Sequence, residues 1–336
     1  MTTPGKVVFS TLLSLSLVCG CSSSRNLQTA QPQAGEKMHY GLKFAKGQSY
    51  DIRCISDKSG TQRDHGGLSF RVHTRIGLGY GFDINSVDDS GNAIVDCTVT
   101  WVMYQQKMRQ AGLLSGGLAG WTPARLDVAY DSSKKNSQTR PQPEGWAELG
   151  FVGPKLMAAF LNEKFTIAVT PRGQVQEIRG LDTLRKNIAK KAGEQSFIGQ
   201  RTQDMNDVEL TELLKEQFLR PLSIYPEQPV RVGDSWTRND TSTLGPCYEN
   251  KWTLKRRRAG VATIGVDTAI KERQTEEPDP TKSWHGRGAI NIDESTGQIL
   301  GSKTKEDLSV EMKRTSIKST TVVTFEMTKR KGGVDK

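Results

Sequence analysis

The sequence predicts an α+β fold in which a large, curved, half-barrel-like antiparallel sheet is covered by two or three helices. Residues 68–87 carry most of that prediction. Leu68, Phe70, Val72, Ile76, Leu78, Tyr80, Phe82 and Ile84 occupy even positions, interrupted only by Thr74. Ser69, Arg71, His73, Arg75, Gly77, Gly79, Gly81, Asp83 and Asn85 occupy the odd ones. A period of two is the mark of a strand with one buried face. At roughly 3.3 Å per residue it is far longer than an ordinary strand, and the odd-face glycines are where it is expected to bend. The second observation is that the chain after Cys247 consists only of alternating segments and turns. The third is a pair of helical stripes to cover the sheet. One is Leu181, Leu184, Ile188 and Ala192; the other is Val208, Leu210, Leu213, Leu214 and Phe218.

Composition bounds the class. The chain has 336 residues, a net charge of +10 and 35% hydrophobic residues, with a mean hydropathy of −0.55. That fraction is low, but at this length it is enough for a buried core. Beyond the N-terminus no apolar run approaches the roughly 20 residues a membrane-spanning helix needs. The N-terminus reads as an export signal over residues 1–20: Lys6, an apolar stretch 7–18, then Val18-Cys19-Gly20-Cys21 and three serines. That tetrad resembles a bacterial lipobox. The resemblance implies a lipid on Cys21 as the membrane anchor and, with Ser22 next, an outer-membrane location facing the periplasm. Cys54, Cys97 and Cys247 then remain, an odd number, with two readings open: buried thiols or a disulfide.

Taken in order, residues 21–41 form a polar tether and 42–225 a β-meander with helices. Residues 226–331 form a second antiparallel half continuous with the first. Gln48-Ser49-Tyr50 leads into a strand through Cys54. The 68–87 strand follows; Asp88-Asp89-Ser90-Gly91-Asn92 turns the chain, and residues 93–103 return. Over 110–150 the pattern lapses into a Gly-rich stretch, read either as a lid or as a loop wrapped on the core. Residues 154–161 make a short helix, and strands at 165–169 and 174–179 flank the turn Thr170-Pro171-Arg172-Gly173. Asp182 is expected to cap a helix ending near Ala192, with a second helix over 204–220. Val232-Gly233-Asp234-Ser235-Trp236 opens the second half much as Gly47-Gln48-Ser49-Tyr50 opens the first, which reads as a distant duplication. Strands are expected at 248–257, 261–270, 284–292, 298–312 and 316–327, with 329–336 frayed.

Little in the chain is catalytic. Gly233-Asp234-Ser235-Trp236 lacks the glycine that follows a protease serine and has no histidine partner motif, so it reads as a strand-entry turn. His39, His65, His73 and His285 show no metal-ligand spacing. Asp127 and Asp131 are not an acid/base pair on spacing alone. No phosphate-cradling loop is present, since Gly77-x-Gly79-x-Gly81 lies within a strand. No catalytic residue, metal or cofactor is therefore expected. The basic run Lys255-Arg256-Arg257-Arg258 is either a solvated rim or a contact for an anionic envelope polymer; nucleic acid is excluded for an exported protein.

Together, the lipobox tetrad, Pro229-Val230-Arg231-Val232-Gly233-Asp234-Ser235-Trp236 and Phe165-Thr166-Ile167-Ala168-Val169-Thr170-Pro171-Arg172-Gly173-Gln174-Val175 resemble a family of bacterial lipoproteins of unknown function. The resemblance implies no activity and no site residues. The architecture is also similar to periplasmic lipoprotein carriers, half-barrels closed on helices around an apolar cavity. The function expected is thus non-enzymatic: an apolar or amphiphilic ligand held between the helices and Phe70, Val72, Leu78, Tyr80 and Phe82. Those five are read alternatively as plain core. The alternative function is an envelope scaffold that binds wall polymers or proteins through its basic surface.

Overall fold

The structure is a computed structural model that describes residues 35–64, 69–111, 125–134, 154–215, 220–240, 247–271, 281–312 and 315–330. Its strands are β1 (Ser49–Asp64), β2 (Ser69–Val87), β3 (Ala93–Ala111), β4 (Arg125–Asp131), β5 (Lys164–Val169) and β6 (Val175–Arg179). The second half supplies β7 (Ser235–Asp240), β8 (Cys247–Arg258), β9 (Val261–Lys271), β10 (Thr281–Asp293), β11 (Ile299–Met312) and β12 (Thr315–Lys329). The helices are α1 (Pro154–Phe160), α2 (Leu181–Ala192), α3 (Phe197–Asp204) and α4 (Asp207–Leu214). All strands join one 12-stranded sheet in the order β6-β5-β3-β2-β1-β12-β11-β10-β9-β8-β7, with β4 on the free stretch of β3. Every pairing is antiparallel.

The order contains two five-stranded meanders, β1-β2-β3-β5-β6 and β7-β8-β9-β10-β11, joined where β12 pairs with both β11 and β1. Left-handed glycines punctuate both at matching points: Gly47 and Gly233, Gly91 and Gly260, Gly173 and Gly297. The two halves therefore share a turn pattern as well as a strand order.

Two straps curl the sheet. The adjacent N–H groups of Leu42 and Lys43 donate to Pro171 O (2.7 Å) in the β5–β6 turn and to Thr296 O (2.8 Å) in the β10–β11 turn. Laid flat, those turns would sit six strand spacings apart, about 29 Å. Consecutive residues reach both only if the sheet is rolled. A second strap repeats the stitch. Ser223 Oγ donates to Gly173 O (2.8 Å), and Tyr225, two residues on, donates its hydroxyl to Gly297 O (2.6 Å). The result is an open barrel pinched at this end. Glycine is obligatory at both turns: each has positive φ, and a Cβ on Gly173 would run into the Leu222 carbonyl and one on Gly297 into the Gly41 carbonyl.

The first strap begins before the expected start of structure. Met38 bridges Val230, and buried Tyr40 donates its hydroxyl to Glu294 Oε1 (2.9 Å). Arg257 Nε donates to the same oxygen at 2.5 Å, so this member of the basic run is committed to an internal ion pair. Arg330 pairs with Asp51 and Asp83 and donates to Tyr50 O, so this residue, expected to fray, is pinned to the sheet.

The long alternating strand is β2, with its even residues on the core side and Phe82, Tyr80, Leu78 and Ile84 buried. Its glycines serve closer packing than bending alone. The Trp101 ring lies across Gly77 and Gly79, with the Arg53 guanidinium 5.0 Å above it, and Arg330 occupies the space over Gly81. β4 is a strand the sequence pattern missed, inside a stretch otherwise outside the described residues. The expected helix over 204–220 is α4, shorter than expected and capped by Asn206 through a box with Glu209, and α3 before it is a helix the sequence pattern missed. Val208 on α4 is 63% exposed, not core, and Phe218 lies outside the described residues. Gly180, in the left-handed region, leads into α2 in place of Asp182, which instead pairs with Arg185.

Two expectations follow. Gly297→Ala should lower stability by about 3 kcal/mol or more, read as the midpoint of urea unfolding, whereas Gly47→Ala, with open space around its Cβ, should cost less. The Arg257 hydrogen bond holds the Glu294 carboxyl below its usual value. Its stabilisation is complete above the unfolded carboxylate value near 4.5 and is lost as pH falls through the lower folded value. Glu294→Gln should therefore lower Tm at pH 7 and flatten the fall in Tm between pH 5 and 3. An unchanged acid limb would remove the ion pair from the account.

Candidate functional site

Residues directly paired across antiparallel strands point to the same face, so the register sorts the core side of the sheet into rows. One row runs Gln106 (β3), Thr74 (β2), Lys58 (β1), Thr321 (β12) and Glu306 (β11). It continues through Gly286 (β10), Thr268 (β9), Asn250 (β8) and Arg238 (β7). Across these nine strands the row has no apolar side chain. All but Lys58 and Arg238, which are half-buried, are buried. Burying one polar group without a partner costs about 1–3 kcal/mol, so a whole row is not a packing accident.

The row is partly satisfied from within. Tyr104 donates its hydroxyl to Gln106 Oε1 (2.9 Å), and Thr268 donates to Asn250 Oδ1 (2.8 Å). Arg238 Nη1 donates to Ser223 O (3.3 Å), tying the row to the second strap. Lys58 and Glu306 stand either side of Thr321. Burial pulls the Lys58 ammonium below the usual lysine range, and the charge of Glu306 opposes that shift.

Beneath the row, toward the pinched end, a cleft of about 40 Å³ opens between the second strap and β8–β12. Its apolar wall is Trp252, Val266, Ile290, Ile299 and Phe325, its floor Pro221 and Ile224, and its polar edge Ser223, Asn250, Ser302 and Thr304. A water needs at least about 10–15 Å³ of such space, so there is room for a few waters or the end of an alkyl chain. Trp236 stacks on Trp252 with centroids 6.4 Å apart and donates its indole N–H to Ile224 O (3.0 Å), fixing wall against floor. Thr304 Oγ1 is buried at this edge with no hydrogen-bond partner among the described residues.

The row divides the residues singled out in the sequence. Leu78, Tyr80 and Phe82 lie on its pinched side within the main core, and the Phe44 ring stacks on Phe82. Phe70 and Val72 lie on the other side, partly buried against Met108 and Val128 in a separate small cluster. Cys54 and Cys97 are buried, unbonded core thiols; burial pushes Cys54 up to about 12, which leaves it unreactive. Cys21 lies outside the described residues. Ser235 Oγ bonds Thr253 Oγ1 (2.9 Å), while Asp234 folds back on the Arg231 N–H, as a strand-entry turn does. His73 bonds Asp57 (2.7 Å), and Asp131 accepts from Trp101 and Ser133. Among the described residues no group of His, Cys, Asp and Glu is arranged to hold a metal, and no helix is long and apolar enough to cross a membrane. The sequence reading missed Asn250, Trp252, Thr304 and Glu306, which become neighbours only once the register is known.

No curated protein matches the sequence. Among solved structures, a lipovitellin structure on lipid–protein interactions is similar over 87% of this chain, at 9% identity and TM-score 0.43. This chain spans only 26% of that one. The β-domain of the Bordetella autotransporter BrkA is similar at 8% identity and TM-score 0.25, covering 82% of this chain and 98% of the other. Pseudomonas aeruginosa OccK7 (OpdD) is similar at 7% identity and TM-score 0.23, covering 84% of this chain and 100% of the other. Likeness at these scores says nothing about what the chain binds. A family model matches residues 127–332, more than half of the chain and from β4 to the end of β12: the chain belongs to a family of unknown function, DUF6263.

Proposed function

We propose that the protein is a non-enzymatic envelope lipoprotein, anchored to the outer membrane through a lipid on Cys21, whose rolled sheet binds an amphiphile. The apolar end of the ligand enters the cleft against Trp252, Val266 and Phe325, and its polar group is met by the row from Lys58 through Thr321 and Glu306 to Asn250. Phe70 and Val72 flank the way in. The observation that carries the reading is the buried polar row with an apolar-walled cleft beneath it. A ligand that is polar at one end and oily at the other satisfies both layers, whereas an ordinary core needs neither. The buried Thr304 hydroxyl at the cleft edge is a free donor for such a ligand. The chemistry asked of the site is recognition alone.

Thr304→Val tests the reading because it removes the hydroxyl and nearly keeps the shape. Stability should stay level or rise by about 1 kcal/mol, since an orphaned buried hydroxyl is removed. Affinity for the fluorescent fatty acid cis-parinaric acid, titrated into the chain from Ser22 to Lys336, should fall severalfold. Native mass spectra of the wild-type chain should show a bound amphiphile. A clean apo mass together with no saturable cis-parinaric acid signal would sink the proposal.

A further inference from the structure

Several cations on this sheet are paired, while others, Lys107, Lys251, Lys255, Arg258 and Lys303 among them, make no ion pair among the described residues. Arg75 and His73 share Asp57, Arg330 holds Asp51 and Asp83, Arg257 holds Glu294, and Lys305 holds Asp307. One group of the unpaired cations is gathered on four adjacent strands. On the outer face, at the end of the sheet away from the straps, Arg71 stands directly opposite Arg109, and the same row continues through Thr61 to Lys318. Arg63 lies one step further toward the strand ends, opposite Ser69 and Ser316. All four side chains are exposed, and none makes an ion pair among the described residues. The nearest outer-face carboxylate in these rows is Glu311, beyond Ser316, whose hydroxyl it accepts at 3.0 Å. Like charges directly opposite on a ladder are destabilising, so Arg71 against Arg109 is a cost to the fold.

We propose that this rim, Arg63, Arg71, Arg109 and Lys318, docks the open end of the barrel on an anionic bilayer surface. Charge complementarity is the first argument: four adjacent strands hold four unpaired cations across about 14 Å, close enough to act together on a charged plane. The second concerns what lies on the reverse of the same strand ends. Phe70 and Val72 on the core side are only partly buried. A bilayer offers phosphates to the outer face and hydrocarbon to the inner one at a single edge. A soluble polyanion would engage the cations and leave the apolar pair idle. The docking does not depend on the cleft: a protein that binds no ligand would still adhere through this rim.

The test is co-sedimentation of the chain from Ser22 to Lys336, which keeps every described strand and helix, with vesicles. Binding is expected to phosphatidylcholine vesicles containing a quarter phosphatidylglycerol, to weaken in 0.5 M salt, and to be absent on pure phosphatidylcholine. Each cation at such a surface is worth about fivefold, so Arg71→Gln/Arg109→Gln/Lys318→Gln should weaken binding about a hundredfold. That variant also relieves a like-charge pair, so its Tm should not fall. Lys255→Gln/Arg258→Gln, removing charge elsewhere on the outer face, should leave binding within a fewfold of wild type. Equal binding to neutral vesicles, or undiminished binding by the triple variant at native Tm, would overturn the assignment. Retention on dextran sulfate without vesicle binding would overturn it too, transferring the rim to a polymeric anion.

Discussion

Two consecutive backbone amides, Leu42 and Lys43, hold turns that belong to opposite halves of the molecule. The rest of the structure depends on that stitch. A twelve-stranded antiparallel sheet left to itself is a twisted ribbon with two exposed faces and two exposed edges. Drawing the β5–β6 turn toward the β10–β11 turn converts it into an open barrel, and residues from β2, β8 and β12 then share one core. The turns accept the straps because Gly173 and Gly297 present no side chain where a carbonyl must pass.

Rolling the sheet gives its inner face a depth, and chemistry is layered along it. At the pinched end Tyr80, Phe82, Ile167 and Phe325 are fully enclosed. Further out comes the polar row, and beyond it Phe70 and Val72 with Met108, packed with Val128, which stands opposite Gln106. Hydrophobic burial explains the first layer at about 25 cal/mol per Å² but argues against the second. Lys58 and Glu306 are the clearest expression of this, two ionisable groups either side of Thr321 in that layer. That layer is the one proposed above to meet the polar group of the ligand.

Much of the architecture was legible in the sequence because strand periodicity is local. The 68–87 alternation became β2, and each strand expected after Cys247 appears within a few residues of its place. Helix limits were less legible. Asn206, three residues before Glu209, is a capping signal that sets the start of α4 and separates it from α3, a helix the sequence reading did not expect. Val208 counted as core from the stripe alone, and it lies on the exposed side of α4. The glycines of β2 were read as bends, whereas their partners, Trp101 and Arg330, are distant in sequence.

The polar row was not legible, for a physical reason. On β2 and β9 it is a single interruption, Thr74 or Thr268, which a lone strand tolerates without meaning. Only the register, fixed by turns and bulges far apart in the chain, puts the interruptions at one height. The stitch that rolls the sheet can be measured directly, with spin labels at Arg172 and Ser295 on the two tied turns and the distance read by electron–electron double resonance. Turns tied through residues 42–43 predict a separation well short of the flat-sheet value of about 29 Å. A distribution centred at or beyond that value would mean that the barrel is not pinched and that the layered interior does not exist.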